Sequence, residues 1–203
     1  MASLNSVKQW DQQYDLVIGG FGLAAMSAAI EAHDLDPTLS ILILEKAPEA
    51  ETGGNSRVAG QSLLITKNAK VLAEYQRKMS VANPIPEDML VPWSEAMEAL
   101  EPWIQERAAQ AGAQYIHGTG FSERDAVLEF PEFGAREAVH CTATILPLPS
   151  GVYLAFRENI RQRPRIQIAY ESPIRDLVQD TDTLEVFGVI AEQDGRRVAI
   201  RAN

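Results

Sequence analysis

Three small residues near the N-terminus have the spacing of a phosphate-binding turn. Gly20, Gly22 and Ala25 form the pattern Gly-x-Gly-x-x-Ala, whose third position accepts glycine or alanine. Gly20 permits a sharp turn, the missing Cβ of Gly22 lets the backbone approach a pyrophosphate, and the small Ala25 lets a helix pack against a strand. A helix that begins here directs free N–H groups and its positive dipole end at phosphate oxygens. These residues predict a dinucleotide-binding turn.

A carboxylate follows at the distance that a dinucleotide-binding fold requires. Glu45 ends the apolar run LSILILE and lies 23 residues after Gly22. A carboxylate at the end of the second strand accepts hydrogen bonds from ribose hydroxyls. Because the same charge repels a 2′-phosphate, the sequence disfavours NADP.

The elements that must position these residues follow from the apolar pattern. Residues 14–18 (YDLVI) predict a strand buried on both faces, residues 23–33 (LAAMSAAIEAH) a helix, and residues 39–45 a second buried strand. A strand, a glycine turn, a helix and a strand within about 30 residues form one βαβ unit with a right-handed crossover.

A glycine-rich loop follows the second strand. Residues 46–61 contain Gly53, Gly54, Asn55 and Ser56 in succession. Consecutive glycines beside Asn and Ser predict a nest of backbone N–H groups and side-chain donors, suited to phosphate or to the edge of a flavin. The same residues are also common in ordinary surface turns. After a βαβ unit, so long a loop favours FAD over NAD, and an NAD-binding domain remains the weaker alternative.

The rest of the chain predicts helices followed by strands. The predicted helices cover residues 67–79, residues 94–111 with an interruption at Pro102, and residues 150–164. Residues 114–117 are predicted to be extended. Strands are predicted at residues 165–170, 173–179, 184–192 and 197–201. The last three strands form a predicted antiparallel meander, closed by a hairpin turn at Asp194-Gly195. The predicted fold class is α/β: a Rossmann-like FAD-binding βαβ unit with a helical insertion and a C-terminal antiparallel β-meander. We expect the FAD-binding domain over residues 1–66 and 146–203, and a mainly helical insertion over residues 67–145.

Composition excludes several classes of function. The 203 residues carry a formal net charge of -10 at pH 7, which argues against binding nucleic acid or an anionic membrane surface. No apolar run approaches the length of a membrane span, and the polar first residues do not resemble a signal peptide. The single cysteine, Cys141, excludes an internal disulfide and a cysteine-cluster metal site. We therefore expect no metal and a cytoplasmic location.

A few other side chains are candidates for chemistry. His117 and His140 titrate near neutral pH and could donate a proton beside a flavin, although a structural role explains each equally simply. Trp93 and Trp103 are interpreted as core residues. The cluster of Arg161, Arg163 and Arg165 is interpreted as a solvated helix end rather than an anion site.

The combined motifs resemble a known family. The stretches YDLVIGGFGLAAMSAAIEA, LILEKAPE and GGNSRVAGQ resemble the opening of the fumarate reductase/succinate dehydrogenase flavoproteins, which include 3-ketosteroid dehydrogenases and tricarballylate dehydrogenase-like enzymes. The resemblance implies that the first glycines contact the FAD pyrophosphate, Glu45 the adenosine ribose, residues 53–60 the pyrophosphate and isoalloxazine ring, and the backbone of Ile174 the adenine. No His of the type that binds flavin covalently lies in residues 46–61, which implies noncovalent FAD. The predicted cofactor-binding residues are Gly20, Phe21, Gly22, Leu23, Ala24, Ala25, Glu45, Lys46, Gly53, Gly54, Asn55, Ser56, Val58, Ala59, Gly60, Gln61 and Ile174.

The resemblance also implies what this chain does. It implies an FAD-dependent oxidoreductase that desaturates or reduces a C–C bond next to a carbonyl in a small-molecule substrate, by hydride exchange with flavin N5. In that family a further parallel strand, a substrate-capping domain and a C-terminal FAD segment follow, so we expect a second polypeptide or self-association to complete the FAD site. The alternative is a catalytically silent flavoprotein fragment or assembly module that needs a partner chain. The sequence assigns no catalytic residue.

Overall fold

The computed structural model describes residues 1–117, 129–147 and 149–203. The chain forms two compact units, one of residues 1–59 and 156–203 and the other of residues 60–155. Within the described residues, none of the helices is both long enough and apolar enough to span a membrane. The two units are described separately below.

The secondary structure follows the chain in this order. The strands are β1 (Ala2–Ser3), β2 (Gln12–Tyr14), β3 (Leu16–Gly19), β4 (Ile41–Leu44), β5 (Leu63–Ile65), β6 (Gln114–His117), β7 (Cys141–Leu146), β8 (Ile166–Ala169), β9 (Ile174–Gln179), β10 (Val186–Gln193) and β11 (Arg196–Ala202). The α-helices are α1 (Leu23–Leu35), α2 (Gly54–Val58), α3 (Ala69–Met79), α4 (Glu87–Gln110), α5 (Ala135–Ala138) and α6 (Gly151–Arg161). Short 3₁₀ helices cover Leu4–Ser6, Glu49–Glu51 and Pro131–Phe133.

The first unit contains the predicted βαβ unit. Strands β3, β4 and β8 form a parallel sheet in the order β3-β4-β8, and α1 connects the first two strands. All four residues of β4 are buried, as a strand between two neighbours should be, whereas Leu16, Val17 and Ile18 of β3 are only half-buried. The prediction that β3 is buried on both faces was wrong, because β3 lies at the edge of this sheet. The α/β fold class with its Rossmann-like unit is confirmed.

The predicted meander is also present in the first unit. Strands β9, β10 and β11 pair antiparallel, and the turn from β10 to β11 has positive φ at both Asp194 (50°) and Gly195 (70°). That geometry is typical of the Asp-Gly hairpin that the sequence predicts. The sequence did not predict that β1 and β2 extend the meander, pairing in parallel with β9 and β11 at its two edges. Strands of two and three polar residues are too short to produce a detectable alternation.

A buried ion pair ties two helices of the first unit together. Arg163 is 7% exposed, and its guanidinium donates two hydrogen bonds of 2.8 Å to the Asp34 carboxylate. A third bond of 2.7 Å goes to the carbonyl of Asn159. Asp34 lies at the end of α1 and Arg163 just beyond α6, so the pair joins the C-terminal ends of these helices. The interpretation of Arg163 as a solvated residue was wrong, because burial here comes with bidentate pairing.

The second unit combines helices with a small sheet. Strands β5, β7 and β6 form an antiparallel sheet in the order β5-β7-β6, beside α3, α4 and α5. The extended segment predicted at residues 114–117 is β6, whereas β5 and β7 were not predicted. Helix α4 begins seven residues before the predicted start at residue 94 and continues through Pro92 and Pro102. Buried residues along α4, such as Leu90 and Ile104, stabilise it despite the prolines.

One glycine in the second unit has no room for any side chain. A Cβ added to Gly151, the first residue of α6, would lie 1.8 Å from the carbonyl oxygen of Ile145. We predict that Gly151→Ala lowers the free energy of unfolding by about 3 kcal/mol or more, because a rigid backbone atom must move. Gly60→Ala is the matched control, since no heavy atom lies within 4 Å of the added Cβ. Urea unfolding of both variants checks this, and similar losses in the two would contradict it.

Candidate functional site

The predicted glycine turn is formed between β3 and α1. Gly20 adopts a φ of 89°, in the left-handed region that favours glycine, and its N–H donates to the carbonyl of Leu44 at 2.7 Å. Phe21 is 1% exposed, and its ring makes an edge contact with Tyr170 at 6.2 Å between centroids. The backbone of Phe21 is therefore at the turn while its side chain anchors the turn in the core.

The start of α1 presents its amides as predicted. Gly22 is the N-terminal cap, and the first bond within the helix runs from the Met26 N–H to the Gly22 carbonyl at 3.0 Å. The amides of Leu23, Ala24 and Ala25 precede that bond, so they face out of the helix end. The Leu23 N–H is bonded to the Ser56 side chain, so the N–H groups of Ala24 and Ala25, with the dipole behind them, form the site for an anion.

Ser56 lies directly against this helix end. Its hydroxyl oxygen accepts a hydrogen bond from the Leu23 N–H at 3.1 Å. A Cβ built on Gly22 would lie 3.1 Å from the same oxygen, a closer approach than most real Cβ contacts. A side chain at position 22 would therefore press on the Ser56 hydroxyl even before a ligand is considered. The sequence indicated Ser56 as a donor in the glycine-rich segment but not that it reaches the turn.

Glu45 braces the turn from the end of β4. The carboxylate is 8% exposed, and one oxygen accepts the N–H of Phe21 at 2.6 Å while the other accepts the N–H of Ala47 at 2.8 Å. Each carboxylate oxygen has a second lone pair, so these bonds leave acceptor capacity for a ribose hydroxyl. The sequence predicted the contact between Glu45 and ribose. It could not predict the hydrogen bonds from Phe21 and Ala47 to this carboxylate, because they depend on how the chain turns back after β4.

The segment of residues 46–61 is more ordered than the predicted loop. Gly53 has a φ of 101° and caps the five-residue helix α2, which contains Asn55 and Ser56. The Arg57 side chain donates to the carbonyl of Ala50 at 2.5 Å and ties α2 to the preceding 3₁₀ turn. The sequence predicted a long glycine-rich loop, and the structure adds that local backbone and side-chain bonds close short helical turns within it. Among the predicted cofactor-binding residues of the segment, the exposed ones are Lys46, Gly54, Asn55, Val58, Ala59 and Gly60.

Gln61, at the start of the second unit, has a clear structural function. It is 6% exposed with a φ of 60°, and its side-chain oxygen accepts the Tyr153 N–H at 3.1 Å. Tyr153 is the third residue of α6, so Gln61 caps that helix in the manner of an N-cap side chain. Its carbonyl accepts the Thr144 hydroxyl at 2.7 Å. Sequence reasoning missed this function because the partners are 92 and 83 residues away.

Ile174 begins β9 and contacts the βαβ unit. Its Cδ1 atom lies 3.0 Å from the position of a Cβ built on Gly19, the last residue of β3. The backbone of Ile174 pairs with Ala191 of β10. The structure thus brings the start of the meander beside the glycine turn, and a larger residue at position 19 would push the two apart.

A second polar cluster lies in the second unit and contains His117. Glu101 is 7% exposed, and its carboxylate receives hydrogen bonds from Lys67, from His117 Nε2 at 2.5 Å and from the Tyr115 hydroxyl at 3.1 Å. The Lys67 ammonium is the largest cause that holds the pKa of Glu101 at about 2, and His117 and Tyr115 act in the same direction against burial. Burial and the neighbouring Glu101 raise the pKa of Tyr115. The cluster gives His117 an orienting carboxylate, while His140 remains an exposed residue without such a partner in the described region.

The Glu101 cluster predicts a defined pH dependence of stability. The pKa of Glu101 is lowered from 4.5 to about 2 in the fold, so its stabilisation is complete above pH 4.5 and disappears as the pH falls toward about 2. We expect Glu101→Gln to lower the free energy of unfolding by about 1–3 kcal/mol at neutral pH and by much less near the acid limit. Urea unfolding across this pH range measures the difference. Glu95→Gln, an exposed residue of the same helix, is the control, and an equal pH dependence in both variants would contradict the prediction.

Solved structures similar to this chain support the observed fold. A 3-ketosteroid-Δ4-(5α)-dehydrogenase from Rhodococcus jostii RHA1, in complex with 4-androstene-3,17-dione, gives a TM-score of 0.73 at 20% identity over 99% of this chain and 46% of its own. A 3-ketosteroid Δ1-dehydrogenase from Sterolibacterium denitrificans gives 0.66 at 17% identity over 95% and 46%. The FrdA chain of an E. coli quinol fumarate reductase variant gives 0.66 at 19% identity over 96% and 32%. This chain therefore spans less than half the length of these structures.

The sequence comparisons assign the chain to a family. No curated protein matches it. The family model of the FAD binding domain matches residues 15–203, a range that contains the glycine turn, Glu45, α2 and the whole meander. The donors at the start of α1 and the absence of a Cβ at Gly20 and Gly54, where space is open within 4 Å, fit the pyrophosphate of that cofactor. The chain belongs to the FAD binding domain family, and FAD is its cofactor.

Proposed function

We propose that this chain is the FAD-binding part of an oxidoreductase that desaturates or reduces a C–C bond next to a carbonyl. The observation that carries the proposal is the start of α1, where the amides of Ala24 and Ala25 lie close to the Ser56 hydroxyl and to the turn that the buried Glu45 holds. That arrangement supplies donors for phosphate and an acceptor for ribose on one side of one turn. Bound FAD would supply hydride exchange at flavin N5.

The residues of this chain would bind and orient the cofactor. The amides of Ala24 and Ala25 would donate to the pyrophosphate, with Leu23 held beside them by its bond to Ser56, and Glu45 would accept from the adenosine ribose. Lys46 lies beside Glu45 and is exposed, and the start of β9 at Ile174 would present its backbone to the adenine. We assign residues 53–60 to the pyrophosphate and the flavin ring by family resemblance. Because this segment lacks His, we propose that FAD is bound noncovalently.

The reaction class is supported by what the related structures are named. Two of them are 3-ketosteroid dehydrogenases, whose names describe the removal of hydrogen from a ketosteroid, and one is a fumarate reductase. Each name describes oxidation or reduction of a C–C bond beside a carbonyl or carboxyl group. Identities of 17–20% support this only by analogy of fold, so the substrate itself is left open.

A second polypeptide, or a second copy of this chain, is proposed to complete the FAD site. The chain spans 46% of the two dehydrogenases and 32% of the fumarate reductase chain. The alternative function, a catalytically silent flavoprotein module, is favoured by the same coverage. The two proposals differ in one result, since only the first expects turnover with an electron acceptor once the partner is present. We propose a cytoplasmic location, because the sequence contains a single cysteine and therefore no internal disulfide.

The first prediction for this function concerns flavin content. Purified protein mixed with FAD, and then gel-filtered, should retain absorbance bands near roughly 370 and 450 nm that belong to the flavin itself. If this chain alone loses the cofactor, addition of the co-purifying partner should restore the bands. Absence of flavin under both conditions would overturn the proposed function. NADH in excess should not displace the flavin, and its displacement would favour an NAD-binding domain instead.

The second prediction separates ligand contact from internal packing at the glycine turn. Gly22→Ala adds a methyl group that meets the Ser56 hydroxyl at 3.1 Å, so we expect a loss of stability that Ser56→Ala in the same chain relieves. FAD binding should stay weakened at least tenfold in the double variant, because the methyl group still blocks the backbone approach of the pyrophosphate. Ser56→Ala alone is the control. Full recovery of FAD affinity in the double variant would contradict the placement of the pyrophosphate at Gly22.

A further inference from the structure

The helical hairpin of the second unit has an apolar groove between α3 and α4. The groove encloses about 340 Å³ and is lined by Gln76, Ile85, Met89, Leu90 and Trp93. Leu90 is 1% exposed and forms the floor, whereas Met89 and Trp93 form walls that are 64% and 41% exposed. The interpretation of Trp93 as a core residue was therefore wrong. Covering such side chains with apolar groups of a partner would remove them from water, which favours association.

The apolar side chains share one face of α4. Met89, Trp93 and Ala96 follow one another at i, i+4 and i+7, which places them on the same side of the helix, and all three are exposed. Gln76 supplies an amide at the edge of the groove. An apolar stripe with a groove beside it, on a helix of 24 residues, is the shape that accepts an amphipathic helical segment.

The charges around the groove indicate which charge a partner's side chains should carry. Six acidic residues lie along α4, at Glu87, Asp88, Glu95, Glu98, Glu101 and Glu106, and no Lys or Arg precedes Arg107 in this helix. Asp88 and Glu95 are next to the apolar stripe and form no ion pair in the described part of the chain. On α3, Arg77 is already paired with Glu87 at 2.7 Å and with Glu74 at 3.2 Å. Glu101 is buried against Lys67, and Glu106 is paired with Arg107. The exposed acidic residues of α4 that form no ion pair in the described part of the chain are therefore Asp88, Glu95 and Glu98, and they favour a basic partner.

We propose that the α3–α4 groove binds a basic, amphipathic helical segment of another polypeptide, with its apolar side chains in the groove and its Lys or Arg side chains at the acidic rim. A second copy of this chain is a poor occupant, because each copy carries a net charge of -10 and the same acidic rim. The proposal concerns a surface of the second unit and does not depend on FAD binding.

A labelled synthetic peptide tests the proposal. The probe is a helix of about 14 residues made of leucine and lysine, with leucine at i, i+3, i+4 and i+7. Fluorescence anisotropy with the full chain should show binding in the micromolar range that weakens as salt is raised. Met89→Lys should weaken binding at least tenfold, because it places a charge in the apolar stripe.

The matched control is Leu184→Lys, which changes the net charge equally at a 67% exposed apolar residue of the meander. It should change the affinity less than twofold, and a peptide of the same pattern with glutamate in place of lysine should not bind. Far-ultraviolet circular dichroism should show that both variants fold. Equal losses in the two lysine variants, no binding by the wild-type chain, or a sedimentation result in which Met89→Lys dissociates a dimer would each overturn the proposal.

Discussion

The hydrogen bond between the Glu45 carboxylate and the Phe21 N–H is the interaction on which the cofactor site depends. It joins the end of β4 to the turn that leads into α1, over 24 residues of sequence, at a distance of 2.6 Å. Hydrogen bonds that involve a charged group contribute about 1.5–3 kcal/mol, and breaking one would leave a buried carboxylate and a buried amide without their partner. The direction of the first amides of α1 depends on this bond together with the Gly20–Leu44 backbone bond and the buried Phe21 ring.

A second constraint acts on the same turn through α2. Ser56, carried by α2, places its hydroxyl against the Leu23 N–H and within 3.1 Å of the position that a Gly22 Cβ would occupy. The glycine-rich segment is therefore not just a flexible cover for a ligand. It packs on the helix start, and the positive φ of Gly53 at 101° is what allows α2 to begin there. Glycine is needed at these positions for the fold before any cofactor is considered.

The sequence was sufficient for those parts of the structure that are encoded locally. The spacing of Gly20, Gly22 and Ala25, the apolar strand before Glu45 and the Asp-Gly hairpin all depend on neighbours within a few residues, and each was found where it was predicted. The cofactor could be predicted for the same reason, since the fingerprint and the following segment are contiguous. These features are determined by backbone geometry, which few residue types satisfy.

The features that the sequence did not reveal are contacts between distant residues. Gln61 caps α6 across 92 residues, and Arg163 pairs with Asp34 across 129. Nothing near Arg163 in the sequence distinguishes a buried bidentate arginine from its exposed neighbours. Helix α4 is a second case in which local sequence was insufficient. Its two prolines predict an interruption, whereas burial along the helix keeps it continuous. Tertiary packing outweighed local propensity in that case.

The distribution of charge reconciles an acidic protein with an anionic cofactor. A net charge of -10 repels a pyrophosphate at long range, but salt screens that repulsion over about 10 Å. At contact distance the helix N-terminus dominates, because its amides are fixed in direction and lie next to the ligand. Glu45 would be the exception, yet its oxygens point to the amides of Phe21 and Ala47 rather than at the start of α1. The acidic residues elsewhere, most of all along α4, therefore act on solubility and on partners, and the turn remains a site for an anion.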